Sequence, residues 1–158
     1  MSITFEQYLQ YRGFETPVIS PWPFLKRGFI DAWFEPGFHR FWRVWNPPFS
    51  YVTYVIYRFL GGKRSMLLST LLTFMLCGFL LHDIFGLVFE QVIGFRNTLV
   101  FLFFGLFTLL SRRLEGPMGQ GGWPRFCNLL LNAALIWTSF VAGTSVNEWL
   151  LPGGRIPL

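Results

Sequence analysis

Hydrophobic and polar positions divide this chain into three apolar runs and a mixed segment before them. The first run is residues 65 to about 89, SMLLSTLLTFMLCGFLLHDIFGLVF. It is uncharged as far as Leu81, carries His82 and Asp83, and then turns apolar again. A run of this length crosses a hydrocarbon core of about 30 Å with some tilt. Residues of about 94–110, GFRNTLVFLFFGLFTLL, predict a second and shorter span, with Arg96 reaching back to the headgroups. Residues of about 126–148, FCNLLLNAALIWTSFVAGTSVNE, predict a third. Its small residues Ala133, Ala134, Ser139, Ala142 and Gly143 permit close helix packing.

Residues 1–64 follow another pattern. Stretches such as ETPVISPWPF and WFEPGFHRFW are too aromatic for a disordered tail. Pro17, Pro21, Pro23 and Pro36 prevent one long helix. Short helices in the membrane interface fit this pattern, with Trp and Phe inward and Arg and Lys at the headgroups. Residues 49–60 are apolar enough to dip into the membrane, and a backbone break at Pro47–Pro48 there must be covered by protein or line a wet cavity. The expected fold is an all-α integral membrane protein. Residues 1–64 form an interfacial and re-entrant N-terminal segment, and residues 65–158 a three-helix transmembrane region.

Composition agrees. The chain has 158 residues, 53% hydrophobic and only 13% charged, against about 25% charged in an ordinary soluble domain. The net charge is +5, but the cations flank the apolar runs, so the expected partner is a lipid bilayer and not nucleic acid. Arg12, Lys26, Arg27, Arg40, Arg43, Arg58, Lys63 and Arg64 precede the first run, and Arg112, Arg113 and Arg125 lie between the second and third. By the positive-inside rule the N-terminus is cytoplasmic and the C-terminus lies on the opposite side. The opening MSITFEQYLQYRGF lacks the continuous apolar stretch of a signal peptide. Cys77 and Cys127 lack the spacing of a metal site, and no metal is expected. The glycine-rich EGPMGQGG loop, residues 115–122, lacks a phosphate-cradling pattern and reads as a flexible connection.

Few residues are placed for chemistry. His82 is one of two histidines and sits late in an otherwise uncharged run. Ionisable groups in a span usually face a bundle interior or a wet cavity, and histidine can move a proton near neutral pH. A simple hydrogen bond to a neighbouring helix is the competing reading. Asp83 does not face His82, because adjacent helical residues point about 100° apart; it suits a cap or the headgroups. Asn46, in RVWNPP, could polarise a reacting carbonyl, but Asn before Pro also starts turns. His39 sits among Phe38, Arg40, Phe41 and Trp42 and lacks an evident orienting partner. Arg58, Lys63 and Arg64 anchor headgroups or seat the phosphates of an anionic donor.

Three elements in order resemble the membrane-bound O-acyltransferase family. Phe41, Trp42, Trp45 and Asn46 match its FWxxWH or FWxxWN element. Leu60, Gly61, Gly62, Lys63 and Arg64 match an LGG followed by basic residues, and His82 falls where the family histidine is expected. The resemblance covers residues 38–89, and the later helices only in kind. Leu81 and Asp83 stand where bacterial members often carry Trp and Gly, and SYVTYVIYRF lacks their Arg–Asp pair. The resemblance implies transfer of an acyl group from a thioester such as acyl-CoA to a hydroxyl acceptor, with no other cofactor. His82 is then the base, Asn46 its helper, and Trp42, Trp45, Arg58, Lys63 and Arg64 the substrate-binding residues. Three spans do not enclose the family's tunnel, which implies another membrane subunit or a homo-oligomer. The alternative is a non-catalytic subunit of a larger membrane complex, derived from the same family.

Overall fold

The computed structural model describes residues 3–14, 21–90, 92–118, 124–153 and 156–157. Those residues are almost entirely helical, and three helical stretches are long and apolar enough to cross a membrane: Gly62–Phe89, Arg96–Leu114 and Arg125–Leu150. The shortest has 19 residues, roughly 28 Å at the α-helical rise, and so matches a hydrocarbon core of about 30 Å. The chain clusters into two compact units. One takes Met1–Ile56 and Leu110–Ala133, the other Tyr57–Leu109 and Ala134–Leu158.

The first unit is built from short helices. α1, Phe5–Tyr11, opens with a reciprocal cap: the Gln7 backbone N–H donates to the Thr4 hydroxyl at 3.2 Å, and the Thr4 N–H to the Gln7 side chain at 2.9 Å. α2, Pro21–Leu25, continues as a π turn over Lys26–Ile30 and a 3-10 turn over Asp31–Phe34. α3 is Phe38–Val44 and α4 is Pro47–Phe59, the latter belonging to this unit as far as Ile56. Tyr8, Leu9, Phe38 and Phe41 are fully buried. Tyr8 packs between Tyr51 and Tyr54, with ring centroids 5.4 and 5.2 Å away. The Pro47–Pro48 pair begins α4 and does not interrupt it. Proline at the first helical position forgoes an N–H that has no intrahelical partner anyway.

The start of α8, Arg125–Leu150, belongs to the first unit and carries two asparagines one turn apart. The Asn132 amide donates to the carbonyls of Trp33 at 3.0 Å and Glu35 at 3.1 Å, and that of Asn128 to Phe34 at 3.4 Å. They satisfy carbonyls at the end of the 3-10 turn, where the chain leaves the helical path at Glu35 and supplies no intrahelical donors for them.

The second unit packs backbone against backbone. α5, Met66–Gly78, passes through a π turn over Phe79–Asp83 into α6, Ile84–Glu90. α7, Arg96–Met118, belongs here through Leu109, and α8 from Ala134. A Cβ on Gly78 would stand 2.6 Å from the carbonyl oxygen of Asn97, and one on Gly143 2.6 Å from the backbone nitrogen of Val100. Side-chain-free positions let membrane helices approach this closely. Val92–Ile93 (β1) pairs antiparallel with Ile156–Pro157 (β2).

Asp83 explains where α7 begins. Its carboxylate accepts from the Asn97 N–H at 3.1 Å, the Asn97 amide at 2.9 Å, the Thr98 N–H at 2.7 Å and the Thr98 hydroxyl at 2.6 Å. The two backbone N–H groups among them belong to a helix N-terminus, where such donors lack intrahelical partners and favour a negative charge. The helix therefore starts at Arg96, two residues after the Gly94 suggested by hydropathy, and it runs on through Ser111, Arg112 and Arg113.

Candidate functional site

His82 lies on the π turn, in the second unit. A π turn places an extra residue in one turn of helix, and such turns recur at functional sites. Asp83 points inward, 8% exposed, and is held by α7. His82 is exposed instead. Its ring lies 5.3 Å from that of Phe101 at a tilt of 37°. Among the described residues its ring nitrogens have no hydrogen-bond partner. An imidazole left unpaired against hydrocarbon is costly, so this position suits a cavity, a substrate or another helix.

The LGGKR turn is in the same unit. Gly61 and Gly62 have φ of 100° and 52°, the left-handed region that glycine adopts without steric cost. Ser69 ties the turn down by donating to the Leu60 carbonyl at 2.7 Å. Arg58, Lys63 and Arg64 around it are exposed, as headgroup anchors require.

Asn46 lies in the first unit, with φ of 48°, a conformation asparagine tolerates better than most residues. Its side-chain oxygen accepts from the Phe49 N–H at 3.3 Å, and its carbonyl from the Ser50 N–H at 2.8 Å. Its own N–H donates to the Gly28 carbonyl at 3.0 Å. Asn46 thus turns the chain from α3 into α4 and caps the new helix. The Asn-Pro turn anticipated from RVWNPP is present. Trp42 and Trp45 flank it within a cluster of rings: Trp42 meets Phe41 at 5.1 Å and Trp45 at 5.4 Å, and Trp45 meets Phe49 at 6.0 Å. Asn46, Trp42 and Trp45 are therefore brought together, as are Arg58, Lys63 and Arg64 around their own turn.

One pairing escaped the sequence. His39 is buried in the first unit, and its Nδ1 lies 3.3 Å from the Ser111 hydroxyl, 72 residues along the chain. Gly37 makes room: a Cβ there would stand 2.9 Å from the Ser111 oxygen. Ser111 gave no signal because it follows directly on an apolar run. Asn128 and Asn132 had a weak one, a four-residue spacing on a helix face. Among the described residues no three His, Cys, Asp or Glu side chains gather as metal ligands. No protein-family model, curated protein or solved structure matches the chain.

Proposed function

We propose that this chain is a membrane-embedded O-acyltransferase, or the catalytic part of one, in which His82 is the general base. The imidazole takes the proton of an acceptor hydroxyl as that oxygen attacks the carbonyl carbon of an acyl thioester. The carbon–sulfur bond breaks, and the departing thiolate takes up the proton. The observation that carries this reading is the state of His82: exposed, on a π turn within an apolar helix, with unclaimed ring nitrogens. A base must be within reach of its substrate before it can act. The ordered FWRVWN, LGGKR and His82 elements support the same chemistry by their resemblance to membrane-bound O-acyltransferases. In this reading the basic N-terminal segment is cytoplasmic and the C-terminus lies across the membrane.

A second reading, a non-catalytic subunit of a larger membrane complex, is favoured by Asn46, whose side-chain oxygen is committed to capping α4. His82 would then meet a partner helix. Thioester consumption in membranes carrying the chain separates the two. Turnover lost in His82→Ala, with the variant still inserted, supports the enzyme. Wild type and variant both at the level of empty membranes would sink the stand-alone enzyme and favour the subunit.

A further inference from the structure

Three arginines of the first unit, distant in sequence, are held by aromatic rings and tied backbone. The Arg12 guanidinium lies over Tyr8 at 5.0 Å and over Tyr11 at 5.3 Å. That of Arg27 lies over Phe14 at 5.3 Å, and its Nη2 donates to the Arg12 carbonyl at 3.5 Å. The Tyr8 hydroxyl is hydrogen-bonded to Ser50, and the Ser50 hydroxyl donates to the carbonyl of Arg43 at 3.3 Å. This chain of contacts ties the Arg12 end of α1 to the Arg43 end of α3.

Stacking uses the faces of the guanidinium planes and leaves their in-plane N–H donors available. Among the described residues neither Arg12, Arg27 nor Arg43 forms an ion pair with a carboxylate, and the Nε of Arg12 is buried with no partner. Like charges gathered without an acid repel one another. Arg43 registers this: burial, then Arg12, then Arg40 push its guanidinium below the usual arginine value, partly offset by the Tyr11 and Tyr8 phenols. A tetrahedral oxyanion would remove the repulsion and accept several of the free donors at once.

We propose that Arg12, Arg27 and Arg43 form a seat for a phosphate group, independent of any chemistry at His82. The phosphate can be the phosphodiester of an anionic lipid headgroup or that of a soluble phosphorylated ligand.

The test uses the full chain purified in detergent. Fluorescent phosphatidylglycerol is titrated in, with phosphatidylcholine as the zwitterionic control and pyrophosphate as soluble competitor. Saturable binding of phosphatidylglycerol over phosphatidylcholine is expected, weakened about tenfold or more in Arg12→Gln/Arg43→Gln. The Arg12→Lys/Arg43→Lys variant is expected to recover part of it. Indifference to pyrophosphate identifies the lipid source, and competition by pyrophosphate the soluble one. Where the double variant does not fold, the exposed Arg27→Gln replaces it, with a loss of about threefold. Unchanged binding in a folded variant, or equal binding of both lipids without a response to pyrophosphate, overturns the seat.

Discussion

In the first unit no helix from α1 to α4 exceeds 13 residues, and rings fill space between them, as where Tyr8 of α1 meets Tyr51 and Tyr54 of α4. In the second, the helical stretch Gly62–Phe89 runs on for 28 residues, and the helices meet at glycines. The difference follows from helix ends. Every end leaves backbone groups without intrahelical partners, so a unit with many ends needs many side chains to satisfy them. Thr4, Asn46, Asn128 and Asn132 all do this in the first unit. The second unit has few ends to satisfy, and one carboxylate, Asp83, meets the N-terminus of α7 with four hydrogen bonds. Side chains hold the first unit together by filling space and the second by staying out of the way.

The sharpest way to break this comparison is to put a side chain where the second unit has none. Gly143→Leu is expected to abolish folding or cost more than about 3 kcal/mol, because its Cβ would meet the Val100 backbone nitrogen and Cα as well as its Cγ2, and the backbone atoms have no room to move aside. Thermal unfolding in detergent reads the effect, and a variant as stable as wild type would mean that close backbone approach is not what holds this unit. Asp83→Ala comes next, at about 2–3 kcal/mol, since hydrogen bonds to a charged acceptor are lost together and donors are left buried. Hydrogen exchange should show the loss at Asn97 and Thr98 first.

In the first unit the effects should be smaller, because many contacts share the load. Asn132→Ala removes two hydrogen bonds but also removes a buried side-chain oxygen that has no partner. A net cost of about 1–2 kcal/mol is expected, with faster exchange across residues 33–38. Asn46→Ala should cost about 1 kcal/mol through the lost cap and the left-handed backbone, measured by denaturant unfolding. A much larger loss of thioester turnover than of stability in that variant would assign Asn46 a part in chemistry as well as in the turn. Tyr8→Phe is expected to be the mildest, about 1 kcal/mol or less for the Ser50 bond, with ring packing retained.

The spans were legible because burial in lipid demands an unbroken apolar run, and such a run shows in the residues themselves. The prolines likewise announced the short helices of α1 to α4. The LGG turn was readable because few residues other than glycine adopt the backbone found at Gly61 and Gly62. The candidate residues were legible as types and not as arrangements. Asn46 could be read as a helper or a turn residue, and its hydrogen bonds to Phe49 and Ser50 define the turn. Asp83 suited a cap, but nothing in the sequence named Asn97 and Thr98 as what it caps.

By itself the sequence determined an all-helical chain with three helices able to span a membrane, a proline-broken aromatic segment ahead of them, and a histidine late in the first. Each of these is a property of residues taken one at a time or a few together. Tertiary structure decided that Asp83 starts α7, that His39 meets Ser111, that Asn132 holds the 3-10 turn, and that the Arg12 and Arg43 segments are tied through Tyr8 and Ser50. Those partners lie between 7 and 99 residues apart. Hydrogen bonding depends on distance and angle in space, and hydropathy read along a chain holds no record of either.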